Sequence, residues 1–535
     1  MSRLTTLRRR AGLMGIGALV ALGSALPGQA LAASAASQAD MDTVTIRVDP
    51  SYHGQIFEGW GTSLGWFANA TGSYPDEIRE RLADMVFGEN GLALNIARYN
   101  IGGGNAPDVG DYLRPGGAVE GWWAAPDGIA HGDVDWWDPA DPRHWNADAD
   151  KTQRWWIDRI KAGIDRWEAF SNSPPWFMTV SGYVSGGFDA NEDQLRTKSV
   201  DDFAAYLVGV VERLEAAHGI EFSTIEPFNE PNTSYWSTRL SDDGEPVARQ
   251  EGAHMGPELQ QAVIRSLAAE LDQAATDAVI AAMDETNPGL FIRNSSSYAA
   301  DVRDHVAQLN VHTYGTERRT AVRDIAKGED KRLWMSEVEG SFGEGRDFES
   351  MEPGLGIARH IVDDIRELEP SAWLFWQPVE DYDNMAPRGG SAGGNWGSIH
   401  IRFDCTARDT LDTCPIYMNT KYHTIRNFTH HIRPGDRFVN VDDVSSVAAI
   451  SASGRTAIVV HINDSDRGRH VTLDLSAFGS VEPGATVTPV VTSADGALII
   501  GEPAPVEGHG AMLTVPASSV TTFLVDGVAG VAPDA

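Results

Sequence analysis

Between residues 56 and 378 the chain alternates strand-like and helix-like segments, and this alternation constrains the fold more than any other feature. Most of the strand-like segments begin with apolar or β-branched residues and end with polar ones. There are eight: IFEGWGTS (56–63), LALNIARYNI (92–101), WEAFSNSPPW (167–176), STIEPFNEP (223–231), LFIRNSSS (290–297), QLNVHTYG (308–315), RLWMSEVE (332–339) and AWLFWQP (372–378). Eight β–α units predict an α/β fold of the (β/α)8 TIM-barrel type, with chemistry at the carboxyl ends of the strands. An open doubly wound sheet fits less well, because no G-x-G-x-x-G turn follows a first strand.

The pattern changes after residue 431. Six short β-rich runs separated by turn residues, from RFVNVDD to SSVTTFLVD, predict a C-terminal antiparallel β-sandwich over 431–526. Residues 42–55 contain the isolated strand-like run DTVTIRVD, which we expect to join that sheet. The catalytic barrel would then occupy 56–430, and residues 527–535 would form a flexible tail.

The N-terminus has the pattern of a signal peptide. Three arginines at 8–10 precede an apolar run over 11–28, and ALA at 30–32 fits a small-residue cleavage site. We therefore expect residues 1–32 to be removed and the protein to be secreted and extracellular. The arginines leave both the general and the twin-arginine export routes open.

The charge balance excludes some partners. With 42 basic and 76 acidic residues the formal net charge is −34. Nucleic acid and anionic membranes need a basic footprint, so we expect neither as a partner. No run after the signal peptide is long and apolar enough to predict a membrane span. We expect a monomer that needs no cofactor or metal.

Cys405 and Cys414 lie close together in CTARDTLDTC and are the only two cysteines of the 535 residues. In an exported protein this predicts one local disulfide that closes a loop. Metal binding by two isolated cysteines fits less well.

A long insertion over residues 102–150 follows the second predicted strand. It is rich in Gly, Pro and Asp and carries five tryptophans, at 122, 123, 136, 137 and 145. Long ordered loops on barrels are usually functional, and exposed tryptophans suit the flat faces of sugars. The equally weighted alternative is that the insertion packs on itself.

Two strand ends are rich in carboxylates. IEPFNEP carries Glu226 and Glu230, and SEVEG carries Glu337 and Glu339. Glu230 ends the fourth predicted strand and Glu337 the seventh, so both can converge across the barrel mouth. Two carboxylates that flank a cleft are the machinery of glycoside hydrolysis.

Seven stretches carry a family resemblance. FEGWGTS, NIARYNIGGG, NSPPWFM, PFNEP, HTYG, WMSEVEG and WLFWQP, in this order, resemble glycoside hydrolase family 30, and within it the endo-β-1,6-galactanases. The resemblance spans roughly residues 44–525. It implies a (β/α)8 barrel with a β-sandwich side domain and a retaining mechanism.

The resemblance also implies catalytic roles. Glu230 corresponds to the acid/base and Glu337 to the nucleophile. Asn229 corresponds to a residue that contacts the sugar 2-hydroxyl, and Arg98 to an arginine near the nucleophile. We expect Arg98 to keep Glu337 ionised.

Further substrate-binding residues follow from the same resemblance. His312 and Tyr314 correspond to sixth-strand residues near the nucleophile, and Trp376 to the floor under the sugar. Trp60 and Trp176 would line the glycone pocket.

Three residues are interpreted from the chain alone. His254 is a candidate substrate contact from the loop after the fourth strand, with loop packing as the alternative. Glu226 is expected to line the barrel interior and to pair with an internal base. Glu339 is either a rim contact to a substrate hydroxyl or a solvated acid.

The expected substrate is β-1,6-linked galactan, the side chains of plant arabinogalactan. β-1,6-Glucan and glucuronic-acid-bearing xylan remain alternatives, and endo and exo action both remain open. A non-catalytic polysaccharide-binding protein fits less well, because it would need neither Glu230 nor Glu337.

Overall fold

Eight parallel strands close into a barrel in the computed structural model, which describes residues 41–386 and 393–532. A strand that precedes the barrel, β1, spans Asp42–Ile56. The barrel strands are β2 (Gly59–Ser63), β3 (Ile96–Asn100), β4 (Arg166–Phe170), β5 (Phe222–Glu226), β6 (Val279–Glu285), β7 (Val306–His312), β8 (Arg332–Val338) and β9 (Ala372–Phe375). Their order around the ring follows the chain, and β9 pairs with β2 to close it.

The described helices connect and cover these strands. They are α1 (Phe67–Thr71), α2 (Asp76–Phe87), α3 (Lys151–Ile160), α4 (Val200–His218), α5 (Pro257–Leu271), α6 (Pro288–Ser297), α7 (Ala300–His305), α8 (Arg319–Glu329), α9 (Met351–Glu367) and α10 (Thr420–Thr429). Every residue of β3 is buried, because a parallel strand in such a barrel has helices outside and packed side chains inside. None of the described helices combines the length and the apolar character needed to cross a membrane.

The fifth barrel strand is not the predicted one. The run at 290–297 lies within helix α6, and the strand is instead Val279–Glu285. Asn287 caps the helix by accepting from the backbone N–H of Leu290 at 3.0 Å, and Pro288 occupies its first turn. Both are helix-start signals, so the strand prediction at 290–297 is wrong.

The C-terminal region is an antiparallel sheet that includes β1. Its other strands are β10 (Arg437–Val441), β11 (Ser446–Ile450), β12 (Thr456–Asn463), β13 (Arg469–Asp474), β14 (Phe478–Ser493), β15 (Gly496–Ile500), β16 (Ala504–Pro505), β17 (Gly510–Val515) and β18 (Ser519–Val531). The order is β15-β14-β18-β12-β11-β10-β1-β13-β17, and β16 pairs with β14. In β1, Val48 lies beside Val441 of β10. Residues 527–531 belong to β18, so the flexible tail predicted there is wrong, and residues 533–535 lie outside the described chain.

Alternate side chains of the sheet strands pack this region against the barrel. Ala448 and Val459 belong to a core enclosed by the sheet itself, whereas their neighbours Val447 and Val460 belong to the larger core shared with the barrel. Successive side chains of a strand point to opposite faces. One face of the sheet therefore packs on itself as a sandwich, and the other packs on the barrel.

Two short sheets flank the barrel mouth. A hairpin of Arg239–Leu240 and Pro246–Val247 lies in the loop after β5. A three-stranded sheet of Val379–Asp381, Ile399–Ile401 and Tyr417–Met418 follows β9. The disulfide Cys405–Cys414 closes a loop within this second segment, with the two Cα atoms 6.2 Å apart. The predicted signal peptide, residues 1–32, lies outside the described residues.

Candidate active site

The side chains of Glu230 and Glu337 meet at the carboxyl ends of the strands. Glu230 follows β5 with a left-handed backbone (φ 48°), and its N–H donates to the carbonyl of Asp284 at 2.9 Å. Glu337 lies at the end of β8. Atoms of Glu230, His312 and Glu337 all lie within 4.8 Å of one another. This proximity is consistent with the roughly 5–5.5 Å between the carboxyl groups of retaining glycosidases.

His312 bridges the two glutamates from the end of β7. Its Nδ1 lies 3.3 Å from Glu230 Oε1 and 3.7 Å from Glu337 Oε1, and its Nε2 lies 3.1 Å from Asp284 Oδ1. Burial opposes a charge on the ring, but Glu337, Asp284 and Glu230 together raise the pKa of His312 to about 10. The ring is therefore an imidazolium at neutral pH, held among the carboxyl groups of Glu230, Asp284 and Glu337.

Arg98 is fully buried behind this group on β3. Its Nε donates to Glu168 Oε1 at 2.7 Å, and one terminal nitrogen makes a very short contact with Asp284. The other terminal nitrogen lies 3.8 Å from Glu337 Oε2. Arg98 thus binds mainly Glu168 and Asp284, and reaches the nucleophile only as a more distant charge.

The nucleophile is less easily ionised than the sequence analysis predicts. Burial raises the pKa of Glu337 to about 7, and the positive charges of His312 and Arg98 oppose this rise without reversing it. Arg98 acts to lower this pKa, as expected, but burial together with the charges of Glu230 and Asp284 outweighs it, so the net shift is upward. Desolvation of a carboxylate outweighs two nearby cations here.

Asp284 on β6 was missed by the sequence analysis. Burial acts to raise its pKa, but Arg98 and His312 hold the pKa of Asp284 well below its usual range. Ser336 Oγ donates to Asp284 Oδ1 at 2.5 Å. Asp284 is therefore a fixed negative charge that joins Arg98 to His312. The available signal was the polar end of the apolar run VIAAMDE.

Glu226 lines the barrel interior below Glu230, as expected. The prediction of a basic partner for it is wrong, because its hydrogen-bond donors are an amide side chain and a backbone N–H. Its carboxyl accepts from the amide of Asn310 at 3.2 Å and from the backbone N–H of Phe228 at 3.3 Å. Burial and the charges of Asp284 and Glu168 raise the pKa of Glu226 well above its usual range.

Two tyrosine hydroxyls complete the contacts to the glutamates. The predicted residue Tyr314 donates to Glu337 Oε1 at 3.0 Å. Tyr235, which the sequence analysis missed, makes a very short hydrogen bond to Glu230 Oε2. Both rings are partly exposed, so these hydroxyls lie where the cleft opens.

The glutamates open into a cleft of about 660 Å³. Five predicted residues line it: Asn229, Glu230, Tyr314, Glu337 and Trp376. Trp376 packs edge-on against Trp66 and Phe170. Glu339, for which a rim contact and a solvated acid were both left open, also lines it. Other lining residues were not predicted as contacts, and they include Arg114, Tyr235, Trp236, Arg239, Arg249, Glu380, Asn384 and Trp396.

Five predicted substrate-binding residues do not line the cleft. Arg98 and His312 are fully buried beside the glutamates, and the other three lie elsewhere. Trp60 is buried between barrel and sheet, where its Nε1 donates to the carbonyl of Ile432 at 2.8 Å. Trp176 is fully buried among other aromatic rings. The Nδ1 of His254 lies 2.6 Å from the carbonyl oxygen of Thr233. The structure therefore corrects all three to packing or loop-shaping residues.

The tryptophan-rich insertion packs on itself. The rings of Trp123 and Trp136 contact each other, and both contact Trp176 and Phe177. Trp145 stacks on Tyr206 of helix α4. None of the five insertion tryptophans lines the cleft described above. Of the two alternatives, the structure favours a self-packed core.

Glu230, His312 and Glu337 are also the one group of acids, histidines and cysteines in the described chain close enough to hold a metal ion. A histidine that binds a metal ion must do so as a neutral imidazole. Because the pKa of His312 is raised to about 10, a proton competes strongly for that ring. The arrangement fits acid–base chemistry better than metal binding.

Comparison with known proteins identifies the family. The model of O-glycosyl hydrolase family 30 matches residues 43–386, well over half of the chain. The chain belongs to glycoside hydrolase family 30. It is 32% identical to an exo-β-1,6-galactobiohydrolase of Bifidobacterium longum subsp. longum, over 97% of this chain and 42% of that protein. It is 29% identical to an endo-β-1,6-galactanase of Hypocrea rufa, over 86% of this chain and 89% of that protein.

A solved structure supports the fold of this family-30 chain. A conserved exported protein of Bacteroides fragilis superposes with a TM-score of 0.71 at 19% identity, over 90% of this chain and all of that one. At this identity the likeness concerns the fold alone. The chain spans less than half the length of the bifidobacterial relative, so that relative's activity is not carried over as a fact.

Proposed function

We propose that the protein is a retaining glycoside hydrolase that cleaves β-1,6-galactosidic linkages in galactan side chains of arabinogalactan. The observation that carries the proposal is the approach of Glu230 and Glu337 to within 4.8 Å at the floor of a polar cleft. The names of the bifidobacterial and fungal relatives support the choice of linkage. The family model supports the reaction class.

The first step transfers the sugar to Glu337. Its carboxylate attacks the anomeric carbon and forms an ester, while Glu230 donates its proton to the departing glycosidic oxygen as that bond breaks. The imidazolium of His312 lies beside both carboxyls and keeps the local charge balanced while the proton leaves. The hydroxyl of Tyr314 holds Glu337 in place for the attack.

The second step releases the sugar by hydrolysis. Water attacks the anomeric carbon, Glu230 takes the proton from that water, and Glu337 leaves as a carboxylate. The negative charge alternates between the two glutamates, which is consistent with a raised pKa at Glu337. The product keeps the anomeric configuration of the substrate.

The test compares Glu337→Gln and Glu230→Gln with the wild type on β-1,6-galactan. Each variant should lose at least about 10³-fold in kcat, since the two residues act as a unit. Azide should restore activity of Glu230→Gln on an aryl galactoside and yield a β-galactosyl azide, because that leaving group needs no acid. The exposed Glu349→Gln is the matched control and should keep full activity. Undiminished hydrolysis by Glu337→Gln would refute the mechanism.

A second substrate is favoured by one observation. Arg114, Arg239 and Arg249 all line the cleft, although the chain as a whole is strongly acidic. Guanidinium groups bind carboxylates well, so a uronate-bearing glycan such as glucuronoxylan is the second candidate. Product analysis on β-1,6-galactan, β-1,6-glucan and glucuronoxylan separates these choices. Mixed short galacto-oligosaccharides indicate endo action, and disaccharide alone indicates exo action.

We also propose that the enzyme acts outside the cell. Support comes from the basic, apolar and small-residue pattern of residues 1–32. Finding the intact N-terminus on protein that stays inside the cell would refute this. The monomeric state and the absence of a cofactor stay predictions.

A further inference from the structure

The cleft has two ends of different composition. Beside Glu230, the loop after β5 supplies Tyr235, Trp236 and Arg239. Beyond Glu337, the loops after β8 and β9 supply an acidic end that includes Glu339 and Glu380. The nucleophile bonds to the anomeric carbon of the transferred sugar, and the acid protonates the oxygen of the leaving part. The transferred sugar therefore lies at the acidic end of the cleft.

Glu339 is held at this acidic end by its surroundings. It follows directly after β8, and its Oε1 accepts the backbone N–H of Gly397 at 2.5 Å. The buried Lys421 on helix α10 donates its Nζ to the carbonyls of Gly340, at 2.7 Å, and Asn395. Lys421 thereby joins the residue after Glu339 to the loop that carries Gly397. A solvated acid on a free loop would need no such support.

Glu380 has a different role although it lies nearby. Its carboxyl accepts from the side chains of Gln377 and Asn384 and from the backbone N–H of Asp381, at 2.7, 3.2 and 2.9 Å. Both of its oxygens are thus used within its own loop. Among the described residues, Glu339 receives one hydrogen bond, the one from Gly397. Glu339 is the carboxylate with acceptor capacity left for a ligand.

Two further atoms indicate that a polar ligand fills the cleft beside the two glutamates. Asn229 Oδ1 and Glu337 Oε2 are buried in the lining without a hydrogen-bond partner in the described chain. Both side chains are more than nine-tenths buried. Buried polar atoms without partners are costly in a folded protein. Sugar hydroxyls and ring substituents would supply the missing partners.

We propose that Glu339 accepts a hydrogen bond from the hydroxyl on carbon 4 of the transferred sugar and so selects galactose over glucose. Glu339 lies two residues beyond Glu337 in the chain, and both side chains line the same cleft. With Glu337 at carbon 1, Glu339 reaches the far side of the same pyranose ring. Galactose and glucose differ only in the orientation of the hydroxyl at carbon 4. This inference rests on the proposed function.

The test is a cycle of two enzymes and two substrates. The substrates are an aryl β-1,6-galactobioside and its analogue that lacks the 4-hydroxyl on the sugar next to the aryl group. The wild type should lose about 10–100-fold in kcat/KM on the deoxy analogue. Glu339→Ala should lose a similar factor on the parent substrate and little more on the analogue. Glu339→Gln keeps the side-chain shape and a weaker acceptor, so its loss should be intermediate.

A merely structural role for Glu339 gives a different pattern. Glu339→Ala would then lower activity equally on both substrates, and the wild-type preference for the 4-hydroxyl would survive in the variant, which would overturn the proposal. Glu349→Gln, on the same loop but exposed, should match the wild type on both substrates. Failure of the wild type to cleave the parent galactobioside would refute the proposed function and this inference together. Cleavage without the coupling would refute only the inference.

Discussion

Two side-chain clusters of the protein are built from opposite kinds of residues. One is the polar cluster of Arg98, Asp284 and His312, in which the described contacts join cations to carboxylates. The other is the aromatic cluster of Trp123, Trp136 and Trp176, whose rings pack on one another. Burying charges costs free energy, whereas burying rings gains it. The polar cluster is therefore expected to serve function at the expense of stability, and the aromatic cluster to serve stability alone.

The largest expected effect is on the aromatic cluster. Trp176→Ala removes a fully buried ring and should lower the free energy of unfolding by about 3–5 kcal/mol. Denaturant unfolding measures this change. Well below the melting temperature, kcat and KM on galactan should stay within about threefold of the wild type.

Trp376→Ala is the matched control for that prediction, because its ring lines the cleft. Its loss of kcat/KM on galactan should be large compared with its loss in the free energy of unfolding. If Trp176→Ala instead raised KM at least tenfold and left unfolding unchanged, the two clusters would not differ as argued.

The next effect concerns the polar cluster. Asp284→Asn keeps the shape of the side chain but removes the charge that binds both Arg98 and His312. The pKa of His312 should fall, because Asp284 is one of the acids that raise it. We expect kcat/KM to fall about 100-fold, or roughly 2.7 kcal/mol.

The pH profile separates this effect from simple damage. In Asp284→Asn the loss of kcat/KM should grow as the pH rises, since the imidazolium of His312 loses its proton more easily. Asp277→Asn, exposed just before β6, is the control and should leave the profile unchanged. A uniform loss of activity at all pH values would contradict the charge argument.

The sequence predicted the parts of the site that combine a strand end with an acid. The motifs NEP and SEVE place carboxylates directly after apolar runs, and both Glu230 and Glu337 lie in the cleft. Asp284 was missed because VIAAMDE has two alanines and few β-branched residues, and so resembles a helix. A barrel strand buried on both faces shows no alternation that would correct this reading.

The tryptophans illustrate what single residues cannot reveal. Trp60, Trp176 and Trp376 all occur in family-like stretches, yet only Trp376 lines the cleft. Which face of a strand or loop a ring takes depends on neighbours distant in the chain, such as Ile432 for Trp60. The family resemblance identified each tryptophan in the sequence but did not predict which way its ring points.

The smallest expected effect is a dependence of stability on pH at the nucleophile. The pKa of Glu337 rises from its ordinary 4.5 to about 7 on folding. Folding therefore favours the protonated form, and the stability this contributes is complete below pH 4.5 and lost as the pH rises through 7. Glu337→Gln cannot ionise and avoids that loss. Relative to the wild type, it should gain about 2 kcal/mol in the free energy of unfolding between about pH 5.5 and pH 8. Denaturant titrations of both proteins at several pH values measure the gain. A difference that stays constant with pH would mean that His312 and Arg98 fully compensate the burial of this carboxylate, and the polar cluster would then carry no cost in stability at Glu337.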